Sequence, residues 1–308
     1  MQTRPVRRLR PTYTRLCLNM SVGVSAAADA SDATIGVSAS QWESARYAES
    51  NFWRQTLNLS MAEMQLRMVP TLQFVFQGDL FSTAQPRQTH FRALDVGSGP
   101  LTSVGFQLYD GHDGESTKRL ELFAADPLAT LYDPILDEFG LQPVVRARQI
   151  KAEQLTRHFA HDWFDIAVST NAIDHTMNPL VAIEQMVAVV KPGHLIVLEV
   201  RENEGRREKW DKHHGAFFHN WNFAAGSSGT GTLTIQGRLS RSTHPPRWTV
   251  ANELCETVES AICTRRARSY LGKAYPEDVI SCVLRKRVDV VQCPNNSSVW
   301  RSTISKKY

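Results

Sequence analysis

The chain alternates short apolar runs with stretches of helical periodicity between Phe91 and Val200. This alternation is typical of βαβ units, in which consecutive strands pair in parallel and the connecting helices cover the sheet. We therefore predict a doubly wound α/β fold with a mostly parallel sheet and helices on both faces. Strands are predicted at residues 91–96, 120–125, 144–149, 164–169 and 194–200.

Glycine and proline positions predict where the connecting helices end. One helix is predicted from Leu128 to Phe139, ended by Gly140, and another from Pro179 to Val190, ended before Pro192. Beyond residue 206 the periodicity is lost in a Gly/Ser-rich loop. A strand at residues 232–238, a helix near residues 250–263 and a last strand at residues 279–286 are predicted after it.

Residues 1–39 are rich in arginine, serine and alanine and have no lasting hydrophobic period, so we predict a disordered arm. The absence of acids before Asp29 also fits an organellar transit peptide, and a start at Met20 is the alternative. Order is predicted to begin at Ser40, because Ser40 and Glu43 form a capping-box pattern before a helical run.

The predicted organisation is one catalytic domain over residues 40–288. Residues 40–85 would form a helical lid, with a second helical stretch at residues 61–68. The aromatic and methionine side chains of this region are expected to pack in the core or in the lid. Residues 202–250 would form an insertion that shapes a substrate pocket, and residues 289–308 a flexible tail.

Composition narrows the class of protein. A chain of 308 residues with 42% hydrophobic content can build one large core. Five arginines precede the first acid and account for the net charge of +4, so a nucleic-acid partner is not expected. No apolar run is long enough to span a bilayer, which predicts a soluble protein. Five cysteines without C-x-x-C spacing argue against a disulfide framework and favour a reducing compartment, cytoplasmic or organellar.

The sequence DVGSGP, residues 95–100, ends the first predicted strand and is expected to open a helix. Gly97 and Gly99 allow a sharp turn and a close approach of the backbone to a ligand. A dinucleotide-binding loop would have a third glycine where Thr102 stands, so a pyrophosphate ligand is disfavoured. The loop predicts a cofactor site at the carboxyl end of the first strand.

Asp126 ends the second predicted strand, where a carboxylate can accept hydrogen bonds from two vicinal ribose hydroxyls. The alternative is a helix cap, because Pro127 suits the first position of a helix. The preceding glycine loop favours ribose binding.

These motifs occur in an order that resembles class I S-adenosylmethionine-dependent methyltransferases, loosely those of glycan and secondary-metabolite clusters. The resemblance covers about 110 residues, from Phe91 to Arg201, and includes AADP, KAEQL, FDIAVSTNAIDH and KPGHLIVLEV. It implies a seven-stranded Rossmann-like sheet and S-adenosylmethionine as the cofactor. The implied cofactor-binding residues are Asp95, Gly97, Ser98, Gly99, Asp126, Pro127, Ala152, Glu153 and Asn171.

Within that resemblance, Gly97 and Gly99 would line the methionine part of the cofactor, and Asn171 would pass beneath it through its backbone. Ala152 and Glu153 would lie beside the adenine. The chain departs from the pattern at Lys151, where many relatives have an acid that receives the adenine amino group. Backbone groups of Ala152, or Glu153 itself, are the expected substitutes.

His175 is the candidate catalytic base, because it follows the fourth predicted strand and an imidazole titrates near neutral pH. Alternatively, this histidine packs near the cofactor or caps the next helix.

The segment from residue 202 to 223 is rich in histidine, asparagine and aromatic residues and suits a hydroxylated acceptor. We predict that His219, Asn220 and Trp221 bind substrate, with Trp221 alternatively in the core. No metal site is expected, because the histidines lack the usual ligand spacing. The predicted activity is O-methylation of a small molecule or glycan. The alternatives are a non-catalytic cofactor-binding subunit and an RNA methyltransferase.

Overall fold

The computed structural model describes residues 39–59, 90–102, 104, 107–109, 117–207, 221–225, 233–237, 247–254, 258–270 and 273–288. The described residues all belong to one compact unit of the chain. Several predictions lie wholly or almost wholly outside them: the arm at residues 1–39, the helical stretch at 61–68, the tail at 289–308, and the substrate-binding candidates His219 and Asn220.

Ten strands and five α-helices make up the described structure. The strands are β1 His90–Val96, β2 Gln107–Tyr109, β3 Thr117–Ala125, β4 Phe164–Thr170, β5 Val190–Arg201, β6 Trp221–Ala225, β7 Leu233–Gly237, β8 Arg247–Thr249, β9 Val258–Tyr270 and β10 Lys273–Lys286. The helices are α1 Ala39–Leu59, α2 Ala129–Glu138, α3 Pro179–Val189, α4 Glu204–Arg207 and α5 Val250–Glu253. Short 3-10 helices at Ala152–Arg157 and Ile173–His175 complete the list.

The main sheet has the strand order β2-β3-β1-β4-β5-β10-β9. Its four central strands, β3, β1, β4 and β5, are parallel, as the sequence predicted. Both ends of the sheet are antiparallel, through β2 on one side and β10 and β9 on the other. A separate three-stranded sheet, β6-β7-β8, is formed by the predicted insertion between β5 and β9.

The prediction of a strand at residues 144–149 is wrong. The backbone of this segment pairs with β3 through a single parallel bridge, between Ala125 and Arg148. The start of β3 is already paired with β2, which the sequence analysis did not predict. Arg146 forms ion pairs with Asp133 and Asp137 of α2, at 2.9 and 2.7 Å. These contacts tie the segment to α2 instead of extending it along the sheet edge.

The prediction of a helix directly after the glycine loop is also wrong. The residues that the structure describes there form a turn and bends. Thr102 explains the difference. Its hydroxyl donates to Asp95 Oδ2 at 2.5 Å, and its oxygen accepts from the Val104 backbone N–H at 3.0 Å. Side-chain bonds of this local kind compete with helical hydrogen bonding.

The helix predicted near residues 250–263 stops at Glu253, and β9 begins at Val258. Pairing with β10 along almost the whole of β9 outweighs the helical preference of this segment.

Cys263 on β9 and Cys282 on β10 are directly opposite each other and form a disulfide with an S–S distance of 2.07 Å. The expectation from cysteine spacing is therefore wrong for this pair. That expectation used only spacing along the chain, whereas the pair is brought together by strand register.

The largest apolar cluster lies where β4, β5 and β10 pack with α3 and the three-stranded sheet. Trp221 and Phe223 of β6 are among its most deeply buried side chains. A smaller cluster joins α1 to α2 through Leu57, Tyr132 and Ile135. This contact fixes α1 beside the carboxyl ends of β1 and β3. No helix within the described ranges is long and apolar enough to cross a membrane.

Candidate functional site

The chain order of the parallel strands creates a crevice between β1 and β4. From β1 the chain continues to β3 on one side, and from β3 it crosses to β4 on the other side of β1. Ligands of open α/β sheets bind at such a switch point, outside the carboxyl ends of the strands. The loops after β1 and β4 meet there, because a Cβ added to Gly97 would lie 2.3 Å from the Cβ of Ala172.

The glycine loop adopts the close turn that its sequence predicted. Gly97 and Gly99 have φ values of +72° and +64°, which favour glycine. The Gly97 N–H donates to the carbonyl of Ala125 at 2.7 Å, so the loop turns back onto the end of β3. Ser98 is buried in the loop, and its hydroxyl donates to the Gly99 carbonyl at 3.1 Å.

Asp126 joins the glycine loop to the start of α2. One carboxylate oxygen accepts from the Gly99 N–H at 2.9 Å and the other from the Leu128 N–H at 2.8 Å. Burial raises the pKa of Asp126 to about 6, against the lowering effect of these two amides. Each oxygen keeps lone pairs for further donors. The same carboxylate can therefore stabilise the turn at Leu128 and accept ribose hydroxyls.

Asp95 is buried behind the loop, where it accepts the hydrogen bond from Thr102. This contact holds the ends of the loop together. Pro127 follows Asp126 in the turn that leads to α2, which begins at Ala129.

Glu153 has a contact that the sequence did not suggest. Its Oε1 accepts from the backbone N–H groups of Met177 and Asn178, at 2.8 and 3.1 Å, and burial raises its pKa. These amides lie at the start of α3, where the Asn178 side chain accepts from Leu180 and Val181. Glu153 thus fixes the loop after β4, and Ala152 beside it is buried.

The loop after β4 contains Asn171 and His175. Asn171 has a φ of +51°, and its N–H donates to the carbonyl of Glu199 at 2.6 Å. His175 Nε2 lies 3.3 Å from Asp174 Oδ2. The Asp174 side chain is almost fully buried, whereas that of His175 is 23% exposed. A buried carboxylate beside an imidazole orients the ring.

Trp221 forms a hydrogen bond to this loop. Its indole N–H donates to the carbonyl of Thr176 at 3.0 Å, and its side chain is buried in the main core. Trp221 is thus a core residue, which was the alternative interpretation of the sequence. Asn222 Nδ2 donates to Asn203 Oδ1 at 3.0 Å, which joins the start of β6 to the turn after β5.

Helix α1 packs against the glycine loop. A Cβ on Gly99 would lie 2.9 Å from the indole ring of Trp53. The Trp53 N–H donates to Glu49 at 2.6 Å, and its ring meets that of Tyr132 edge-on. Burial and the nearby carboxylates of Asp126 and Glu49 raise the pKa of Tyr132. The sequence analysis expected the aromatic residues of this region to pack in the core or in the lid, but gave no sign of the contact between Trp53 and Gly99.

Neither a protein-family model nor a curated protein sequence matches the chain. Among solved structures, it is similar to the N-methyltransferase NodS from Bradyrhizobium japonicum in complex with S-adenosyl-L-homocysteine, at 12% identity over 64% of this chain and 78% of that one, with a TM-score of 0.35. It is also similar to a methyltransferase from Thermotoga maritima, at 11% identity, 78% and 100% coverage and a TM-score of 0.37.

A third similar structure is the [4+2]-cyclase SpnF, at 19% identity and a TM-score of 0.27. The match covers 41% of this chain and spans less than half, 44%, of the cyclase. With similarities as remote as these, the functional assignment depends on the residues of the crevice.

Gly97→Ala tests the contact between the two loops of the crevice. The added methyl group would overlap Ala172 and force a positive φ on alanine, so we expect the free energy of unfolding to fall by about 3 kcal/mol or more. Gly140→Ala is the matched control, because Gly140 has a φ of +62° but nothing within 4 Å of an added Cβ. Chemical denaturation should show a loss of only about 1–2 kcal/mol for this control. Equal losses would contradict the contact.

Proposed function

We propose that the protein transfers a methyl group from S-adenosylmethionine to an oxygen atom of a small molecule or glycan. The main supporting observation is the contact between the glycine loop and the buried Asp126 carboxylate at the switch point. The Gly99 N–H donates to Asp126 Oδ2 at 2.9 Å. A close backbone turn and a carboxylate at this place suit the methionine part and the ribose of that cofactor.

The chain's residues fit the cofactor in three respects. Gly97 and Gly99 leave no side chain in the turn, so that a ligand can approach the backbone. Asp126 accepts the two vicinal ribose hydroxyls with the lone pairs that its amide partners leave. The adenine would lie beside Ala152. Backbone groups there would recognise it instead of the acid that many relatives have at the position of Lys151.

The sulfonium of S-adenosylmethionine supplies an electrophilic methyl group, so the protein's main task is to align the acceptor. In our proposal, His175 would accept the proton of the acceptor hydroxyl, while S-adenosylmethionine would supply the methyl group and leave as S-adenosylhomocysteine. Asp174, 3.3 Å from His175 Nε2, would stabilise the resulting imidazolium. His219 and Asn220 stay candidate acceptor-binding residues, and Trp221 would act by supporting the turn that holds His175.

Two other functions would produce different measurements. A non-catalytic cofactor-binding subunit would bind S-adenosylhomocysteine but form none from S-adenosylmethionine with any hydroxylated acceptor. An RNA methyltransferase would bind its acceptor with a steep dependence on salt concentration.

Asp126→Asn tests the placement of the cofactor. Removing the charge from an acceptor of ribose hydroxyls should weaken S-adenosylhomocysteine binding about 10-fold or more, measured by titration calorimetry at pH 7.5. Asp165→Asn is the control, because Asp165 is equally buried and accepts from the Arg92 N–H and Lys191, yet lies at the opposite end of β4. The control should lose stability and keep its affinity.

The same titration has a predicted pH dependence. Since the pKa of Asp126 in the free protein is raised to about 6, lowering the pH from 7 to 5 protonates the carboxyl and should weaken binding. Asp126→Asn should remove this dependence. Equal affinities of wild type and Asp126→Asn would show that Asp126 only caps the turn at Leu128.

His175→Ala tests the proposed base. Turnover with a hydroxylated acceptor should fall about 100-fold or more, and S-adenosylhomocysteine affinity should change little. The rise of the wild-type rate near pH 6–7, typical of a histidine base, should disappear. His161→Ala is the control, since His161 is exposed in the turn before β4. A variant that keeps its activity and pH profile would exclude His175 as the base.

A further inference from the structure

Cys263 of β9 and Cys282 of β10 face each other inside a regular part of the strand pairing. The two strands keep one register for at least three residues on either side of this pair. Directly opposite residues of antiparallel strands have their side chains on the same face of the sheet. The Cα atoms of the two cysteines are 4.0 Å apart. The strand register therefore brings the sulfur atoms together.

Both cysteines lie in the main apolar core. Cys263 is 6% exposed and Cys282 is fully buried. Cys282 also pairs with the buried Leu198 of β5, so β10 has a strand on each side. Two reduced cysteines would also be accommodated in such a core, because a free cysteine behaves as a small apolar residue. The bond between the sulfur atoms distinguishes this pair from simple packing.

Burial controls how this disulfide can form and break. Thiol–disulfide exchange requires a thiolate to reach one of the sulfur atoms. Among the described residues, β9 is the last strand at its end of the main sheet, so it can separate from β10 without opening the parallel centre. Because both side chains are buried, a reagent reaches them through such a separation. The bond therefore forms before β9 docks and is shielded afterwards.

We propose that Cys263 and Cys282 are an oxidation site, linked by a disulfide-containing oxidant while the chain folds and then protected by the docked strand. This inference goes beyond the proposed function and does not depend on it. It implies that the chain folds where such an oxidant is present, in contrast to the reducing compartment expected from cysteine spacing.

The linkage takes two exchange steps. The thiolate of one cysteine attacks the disulfide of the oxidant, which forms a mixed disulfide and releases one thiolate. The thiolate of the other cysteine then attacks the protein sulfur of the mixed disulfide and releases the second thiolate. The two cysteines are oxidised and the oxidant is reduced to two thiols. The two protons that the cysteines lose are taken up by the two leaving thiolates.

Peptide mapping tests the linkage and its protection. The full chain is produced in a host with an oxidising cytoplasm, free thiols are alkylated, and a digest is analysed by mass spectrometry. We expect a linked pair of peptides that contain Cys263 and Cys282. Reduced glutathione at pH 7.5 should cleave this bond about 100-fold more slowly, or slower still, in the folded chain than in guanidinium chloride. Alkylation of both cysteines, or equal cleavage rates, would overturn the proposal.

Thermal unfolding tests whether the bond stabilises the fold. The oxidised wild type is compared with the same chain produced in a reducing host and kept in reductant, so the two samples have identical side chains. The crosslink joins positions 19 residues apart and restricts the unfolded chain. We expect the Tm of the oxidised chain to be higher by about 5 °C or more. Equal Tm values would contradict a stabilising crosslink.

The matched control combines Cys263→Ala with Cys282→Ala and keeps Cys17, Cys255 and Cys293. The Tm of this variant should be the same in the oxidised and reduced preparations. A difference as large as that of the wild type would assign the effect to the other cysteines and overturn the proposal. The wild-type comparison needs no substitution, so together with the peptide map it decides the question even where the variant does not fold.

Discussion

The crevice depends on the buried carboxylate of Asp126. By accepting from Gly99 on one side and Leu128 on the other, it fixes the distance between the loop after β1 and the start of α2. Burial disfavours its charge and raises its pKa to about 6, against the lowering effect of the two amides. A ligand with two adjacent hydroxyls would donate further hydrogen bonds to the Asp126 carboxylate and stabilise its charge. In the proposed function, this one carboxylate would both hold the turn and bind the ribose.

The surrounding residues hold both sides of the crevice. Trp53 packs on Gly99 from α1, Glu153 fixes the amides at the start of α3, and Trp221 bonds to the carbonyl of Thr176. These three side chains come from separate parts of the chain. Together they restrict the loops that contain Gly99 and His175, which favours a preformed site over one assembled by the ligand.

The sequence predicted the parallel centre of the sheet because each buried strand is a short apolar run between turn residues. It also predicted the sharp turn at Gly97 and Gly99, since the motif is local. It failed where distant contacts decide the structure. Arg146 pairs with α2 instead of extending an edge strand, and Cys263 meets Cys282 only through strand register. The contact of Trp53 with Gly99 was likewise invisible, because an aromatic residue on a helix has the same pattern whether it covers a core or a ligand loop.

The most direct test of the proposed site is a crystal structure of the protein grown with S-adenosylhomocysteine. We predict that the ligand lies between the loops after β1 and β4, with both ribose hydroxyls within hydrogen-bond distance of the Asp126 carboxylate and the amino acid end beside Gly97. Density for the ligand at any other place, or in the crevice with its ribose turned away from Asp126, would contradict it.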